Sequence, residues 1–259
     1  MRKLQKINTG RYDPQVRREY AEQIKQRDPV RAEFILRQVW LAHNEDSAGD
    51  TRRLAYTRSV RRAESQRGGD WWPAELKKAG VSSAKFHAGF VDHIAIEAAH
   101  FLEHATVIFR CAPIRHLTLT GVKPHLEKVL ALPAMERVVS LDLSHNHLDD
   151  ADAMLIADAS LPALKWLSLA ANRLEFPGVQ ALANAEGFPR LRYLDLEGNP
   201  CNPLDRPAYD EGAALDSWRT TEGARLESVA GGPIPWLRGS AQQASRFSLE
   251  NQSSSAAFA

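Results

Sequence analysis

The sequence predicts an α/β fold: a short solenoid with parallel strands on its concave face and helices on its convex face. A helical N-terminal domain precedes it and a C-terminal cap follows. Three observations predict this. A leucine pair, L-x-L, recurs with its first member at Leu117, Leu141, Leu167 and Leu194, in steps of 24, 26 and 27 residues. An asparagine follows each of the last three pairs at the same distance, at Asn146, Asn172 and Asn199. The segments between them, "DADAMLIADASL" (150–161) and "GVQALANAEGF" (178–188), are rich in Ala and Leu at helical spacing and run up to Pro162 and Pro189.

Each L-x-L reads as a short strand with its leucines inward and the residue between them outward, because strand side chains alternate. The asparagine turns the chain and hydrogen-bonds backbone groups left unpaired there. One such unit cannot bury its own apolar face, so the stack itself is the core. The four copies are "IRHLTLTGVKP", "VVSLDLSHNHL", "LKWLSLAANRL" and "LRYLDLEGNPC". They resemble the leucine-rich repeat, L-x-x-L-x-L-x-x-N/C-x-L, and the helical returns at steps of 26–27 are similar to the ribonuclease-inhibitor type. Val138 and Cys201 are conservative departures. The first copy departs further, with Val122 at the asparagine position and Pro124 at the last leucine, as a terminal repeat that caps the stack often does. Upstream, "FVDHIAI" reads as one more strand, Ile94 lying 23 residues before Leu117, and "AAHFLEHATVIF" as its return helix.

The expected organisation is an N-terminal helical region over 1–85, repeats over 86–200, a C-terminal cap over 201–238 and a disordered tail over 239–259, the last rich in Ser, Ala and Gln. Residues 14–42 read as helical with an interruption at Asp28-Pro29, placing Phe34, Ile35, Val39 and Trp40 on an apolar face. Residues 51–67 read as a second, very basic helix. "GGDWWPAEL" then turns the chain, with Trp71, Trp72 and Leu76 expected against the first repeat. In the cap, Tyr209, Trp218, Leu226 and Trp236 are expected to cover the last strand. The order "DPVRAEFILRQ", charged helix, "DWWPAEL", "FHAGFVDHI" and then repeats, across residues 27–237, is similar to bacterial proteins that carry a short repeat-companion domain. That resemblance implies an architecture more than an activity.

The composition is that of an ordinary globular chain, 44% hydrophobic and 25% charged. No apolar run is long enough to span a membrane and the basic start lacks an apolar core after it, so neither a membrane span nor a secretory signal is expected. Two cysteines, Cys111 and Cys201, exclude a disulfide scaffold and fit a cytoplasmic location. The net charge of +1 hides an asymmetry: residues 1–80 hold 18 Lys/Arg against 11 Asp/Glu, leaving 15 against 21 in the remainder.

Two stretches look like metal chemistry. "HFLEH" matches the inverted zinc-protease pattern, with His100 and His104 as ligands and Glu103 as base. It lacks a third ligand and lies in a return helix, so a zinc hydrolase is the least favoured alternative. "VSLDLSHNHLDD" (139–150) crowds Asp142, His145, His147, Asp149 and Asp150 together, yet its leucines and asparagine recur in the other copies while its histidines do not. It therefore reads as architecture. No P-loop, nucleophile elbow or dinucleotide fingerprint is present, and neither a cofactor nor catalysis is expected.

The register supplies a binding face instead. His116, Ser140, Trp166 and Tyr193 precede the first leucines; Thr118, Asp142, Ser168 and Asp195 stand between them; Thr120, Ser144, Ala170 and Glu197 follow. Aromatic anchors beside acids suit a protein partner with a basic or mixed surface. The expected function is non-catalytic protein–protein interaction through Trp166, Tyr193, Asp142, Asp195, Glu197, His116, Thr118 and Ser168, as an inhibitor or immunity-type protein or as an adaptor. The alternative is nucleic-acid association through Arg52, Arg53, Arg58, Arg61 and Arg62 of the basic helix.

Overall fold

The computed structural model describes residues 2–9, 12–44 and 50–201, so the expected cap and tail lie outside the described residues apart from Cys201. The chain divides into two compact units. Among the described residues, the first comprises those up to Ala95 together with His104–Arg115, and the second Ile96–Glu103 with His116–Cys201.

In the first unit, three helices begin on an aspartate. Asp13 opens α2 (Pro14–Ile24) by accepting from the Gln15 and Val16 amides. Asp28 opens α3 (Pro29–His43) through the Arg31 amide, and Asp50 opens α4 (Thr51–Arg67) through the Arg52 amide. Aspartate supplies the missing acceptor at a helix start, and the proline that follows the first two costs no hydrogen bond there. The Asp28-Pro29 interruption is thus a helix boundary. A short α1 (Arg2–Asn8) precedes them, and α5 (Ala74–Lys78) follows the tryptophan turn.

The core of this unit is aromatic. Phe34 of α3, Trp71 and Phe86 lie with ring centroids 4.7 Å (Phe34–Trp71), 5.4 Å (Phe34–Phe86) and 6.4 Å (Trp71–Phe86) apart, over fully buried Ile35 and Leu76. Sequence placed Trp71 against the first repeat; its ring partners lie in the unit's own core. Trp40 sits half-exposed, edge-on to Tyr56 of α4.

The expected strand 90–96 is present as β2 (Phe90–Glu97), but it runs antiparallel to a strand the sequence did not announce, β1 (Ser83–His87). The two-residue turn between them, Ala88-Gly89, has positive φ at both positions, +45° and +90°. That is the backbone of a primed hairpin turn, whose handedness matches the strand twist. Arg17 secures it by donating from Nη1 to the His87 and Ala88 carbonyls at 2.8 and 3.0 Å. Arg115 grips Asp92 of β2 at both carboxylate oxygens, 3.0 and 2.8 Å. The return helix α6 spans Ala98–Cys111.

In the second unit, β3 (His116–Thr120), β4 (Ser140–Asp142), β5 (Trp166–Ser168) and β6 (Tyr193–Asp195) pair in parallel in that order. The connections return through α7 (Leu126–Leu130), α8 (Asp150–Ala157) and α9 (Phe176–Ala183). The leucine pairs 117/119, 141/143 and 167/169 are all 0–1% exposed. Helix α8 stops at Ala157, short of the expected Leu161, because the chain must turn to bury Leu161, whose amide donates to the Gly187 carbonyl at 2.8 Å.

A buried asparagine ladder joins the turns. Asn146 Oδ1 accepts from the Val122 amide, and Asn172 Oδ1 accepts from the Asn146 and Leu148 amides. Asn199 Oδ1 accepts from the Leu174 amide. Each side-chain amide also donates to carbonyls of its own or the preceding repeat. The residue before each asparagine, and before Val122 in the first copy, is left-handed: Gly121 at +63°, His145 at +57°, Ala171 at +52° and Gly198 at +72°. His147 is left-handed as well, at +57°. Both histidines of the suspected metal cluster are thus exposed turn residues. Asp149 and Asp152 form the capping box of α8, and Lys123 bridges to both. Because left-handed backbone costs a non-glycine about 1–2 kcal/mol, His145→Gly is expected to raise stability by about 0.5–1 kcal/mol in urea titration after glycine's unfolded-state entropy is subtracted.

Candidate functional site

The outward rows form as the register requires. His116, Ser140, Trp166 and Tyr193 are aligned across β3–β6, and Thr118, Asp142, Ser168 and Asp195 form the next row. Trp166 and Tyr193 stack with centroids 6.0 Å apart and planes only 6° from parallel; both rings remain half-exposed. Burial, with Asp195 and Glu197 alongside, pushes the Tyr193 phenol up to about 12, so it stays a neutral hydrogen-bond donor at neutral pH.

The acids are held in place by backbone and neighbours. Asp142 Oδ1 accepts from the Ser144 amide at 3.0 Å and Oδ2 from the Thr118 hydroxyl at 3.5 Å. Asp195 repeats the arrangement one strand pair along, accepting from the Glu197 amide at 3.1 Å and from the Ser168 hydroxyl at 3.2 Å. Ser168 is 3% exposed and Ser140 5%, so these two lie beneath the face, and the Ser168 hydroxyl is spent on Asp195. His116 and Thr118 are half-buried, while Thr120 and Glu197 are exposed. What remains available is an aromatic pair flanked by Asp142, Asp195 and Glu197.

The other candidates are placed differently. On α6, His100 and Glu103 are exposed and His104 is half-buried. His100 Nδ1 lies 3.9 Å from Glu97, and among the described residues no group of three or more His, Cys, Asp or Glu is arranged to hold a metal ion. On α4, Arg52, Arg58, Arg61 and Arg62 are exposed, whereas Arg53 turns back to donate to the Asn44 carbonyl at 2.6 Å. Cys111 donates to the Ile108 carbonyl, and burial pushes its thiol up to about 11, which keeps it protonated and unreactive. Among the described residues no helix is long and apolar enough to cross a membrane.

A feature that the periodicity did not single out lies in the first unit: a cavity of about 890 Å³ lined by α1–α3, the tryptophan turn, β2 and the end of α6. Arg31 lines it at 9% exposure. The signal in sequence was an arginine one turn into a helix amid aromatics, which helical periodicity alone assigns to a solvated face.

No family model matches the chain, and no solved structure matches it. A 98-residue stretch is 38% identical to part of the brassinosteroid LRR receptor kinase BRI1 of Oryza sativa subsp. japonica. The match takes in 37% of this chain and only 8% of that receptor kinase, so the likeness is to a leucine-rich repeat protein and is confined to that stretch.

Proposed function

We propose that the chain is a non-catalytic protein-recognition module of the leucine-rich-repeat type. Its outward rows dock a protein partner with a basic or mixed surface. The observation that carries this reading is the Trp166–Tyr193 stack in register beside Asp195 and Glu197. Stiff aromatic rings with few torsions lose little entropy on binding, and acids at their rim select the sign of the partner's charge. The repeat strands alone offer about 400 Å², against the roughly 800 Å² per partner of a standard interface. Neighbouring loops or flanks therefore contribute, or the complex is transient. An inhibitor or immunity-type role and an adaptor role both fit such a face. A photocrosslinker at Tyr193 is expected to trap one protein that a crosslinker at exposed Met154 on α8 does not, and the trap is expected to vanish in Trp166→Ala. Equal trapping at both sites would remove the concave face from the proposal.

A second reading uses α4. Arg52, Arg58, Arg61 and Arg62 are exposed and none has a carboxylate within ion-pair distance among the described residues. A nucleic-acid role predicts binding to a random oligonucleotide that falls steeply with salt. An absence of any shift at low salt removes it.

A further inference from the structure

Three arginines pack into the first unit, Arg17 and Arg31 buried and Arg115 half-buried, and two of them have oxygen acceptors, although Arg17 Nε has none. Arg17 donates to two turn carbonyls, and Arg115 is bidentate on Asp92. Arg31 is different. Its guanidinium carbon lies 4.9 Å from the centroid of Trp71, 5.1 Å from Phe86, 5.4 Å from Phe34 and 5.6 Å from Phe90. Among the described residues the guanidinium donates no hydrogen bond and has no carboxylate within 4.0 Å, and Nη1 is sealed from solvent without a partner. The indole Nε1 of Trp71, in the same wall, is likewise buried without an acceptor.

The aromatic cage does not complete this arginine. Ring faces attract its positive charge but leave its in-plane N–H groups without acceptors. The acids around it are committed elsewhere: Asp28 caps α3, and half-buried Glu64 accepts from the Phe86 backbone. Desolvation lowers the guanidinium to about 10, which leaves it charged at neutral pH. A buried cation with no acceptor in contact is destabilising, and the same unit gives Arg17 and Arg115 oxygen acceptors. The cavity that Arg31 lines has the size of a small-molecule site and largely apolar walls, including Leu4, Ile24, Trp72, Val91 and Val107. Its charged lining, Arg27, Arg31 and Arg110 against Asp28 and Glu75, leaves one positive charge in excess.

We propose that this cavity binds an organic monocarboxylate with an apolar body, its carboxylate meeting the Arg31 guanidinium and its body the apolar wall. A planar carboxylate matches the guanidinium fork, and one negative charge cancels the excess without crowding Asp28 and Glu75 as a dianion would. The carboxylate can belong to a free acid or to a peptide C-terminus.

The test uses the full chain, with binding followed by tryptophan fluorescence and calorimetry. The probes are 4-phenylbutanoate, its neutral amide, and acetyl-Leu-Phe with a free or an amidated C-terminus. Each acid is expected to bind at least about tenfold more tightly than its amide. Arg31→Gln is expected to bring acid binding down to the amide level, and Trp71→Phe to weaken it by about threefold. Because Arg31→Gln removes a buried side chain, Val107→Trp, which puts an indole into the cavity and leaves Arg31 unsubstituted, provides the second variant and is expected to abolish binding of every probe. Tighter binding of the peptide acid assigns the site to a chain terminus, and tighter binding of phenylbutanoate assigns it to a free acid. Equal binding of acid and amide, no binding of either acid, or acid binding undiminished in a folded Arg31→Gln or in Val107→Trp overturns the proposal.

Discussion

Asn172→Ala is expected to lower the unfolding free energy by about 4 kcal/mol, read as a shift of the urea midpoint at unchanged slope. Asn172 sits at the centre of the ladder. Its Oδ1 accepts from two buried amides, Asn146 and Leu148, and its Nδ2 donates to the Leu143, Leu169 and Ala170 carbonyls. Two of those carbonyls keep another donor: Leu169 receives Asn199 Nδ2, and Ala170 receives the His145 amide. Truncation therefore strands two amide donors and the Leu143 carbonyl. Each buried group left without a partner costs roughly 1–3 kcal/mol, partly recovered if water enters the space. Asn199→Ala is the internal comparison. Among the described residues Asn199 Oδ1 serves one amide, Leu174, so its loss is expected to cost about half as much. Equal losses at the two positions would mean that the ladder's accepted bonds are not what distinguishes them.

The ladder was legible in the sequence because its chemistry is local and periodic. An asparagine three residues after each of the last three leucine pairs has one geometric use, and Asn146, Asn172 and Asn199 all serve it. The same logic placed the outward rows, since period-two alternation fixes which residues share a face. Three things were not legible. The hairpin was hidden because its turn is Ala88-Gly89 rather than the usual Asn-Gly, with Ala88 buried at 2% exposure where a turn residue is ordinarily solvated. The burial of Ser168 was hidden because its hydroxyl bonds to Asp195, 27 residues away. Arg31 was hidden because helical periodicity assigns a charged residue to the solvated face, whereas aromatics from the turn at 71 and the strands at 86 and 90 close over it. Contacts that depend on distant sequence leave no periodic trace.

Gly89→Ala is expected to cost about 3–5 kcal/mol, one of the largest effects of adding a single methyl group to this chain. Two penalties combine there. The φ of +90° lies in the left-handed region, where an L side chain is strained by about 1–2 kcal/mol. A Cβ would also meet Ile35 at 2.6 Å from Cγ1, 2.8 Å from Cα and 2.9 Å from Cβ. The first and last of those atoms belong to a fully buried side chain, but the second belongs to the backbone of α3, so helix and hairpin must move apart. That movement would break the Gly89 amide's 2.6 Å hydrogen bond to Gln38 Oε1 and loosen the turn that Arg17 secures. Gly121→Ala separates the two penalties. Its φ is +63°, but the nearest atom to an added Cβ is Glu97 Cγ at 3.9 Å, so only the backbone strain of about 1 kcal/mol is expected. A thermal melt in which Gly89→Ala falls no further than Gly121→Ala would show that α3 yields freely at Ile35. A several-fold larger loss at Gly89 would identify close approach to α3 as the reason the turn ends in glycine.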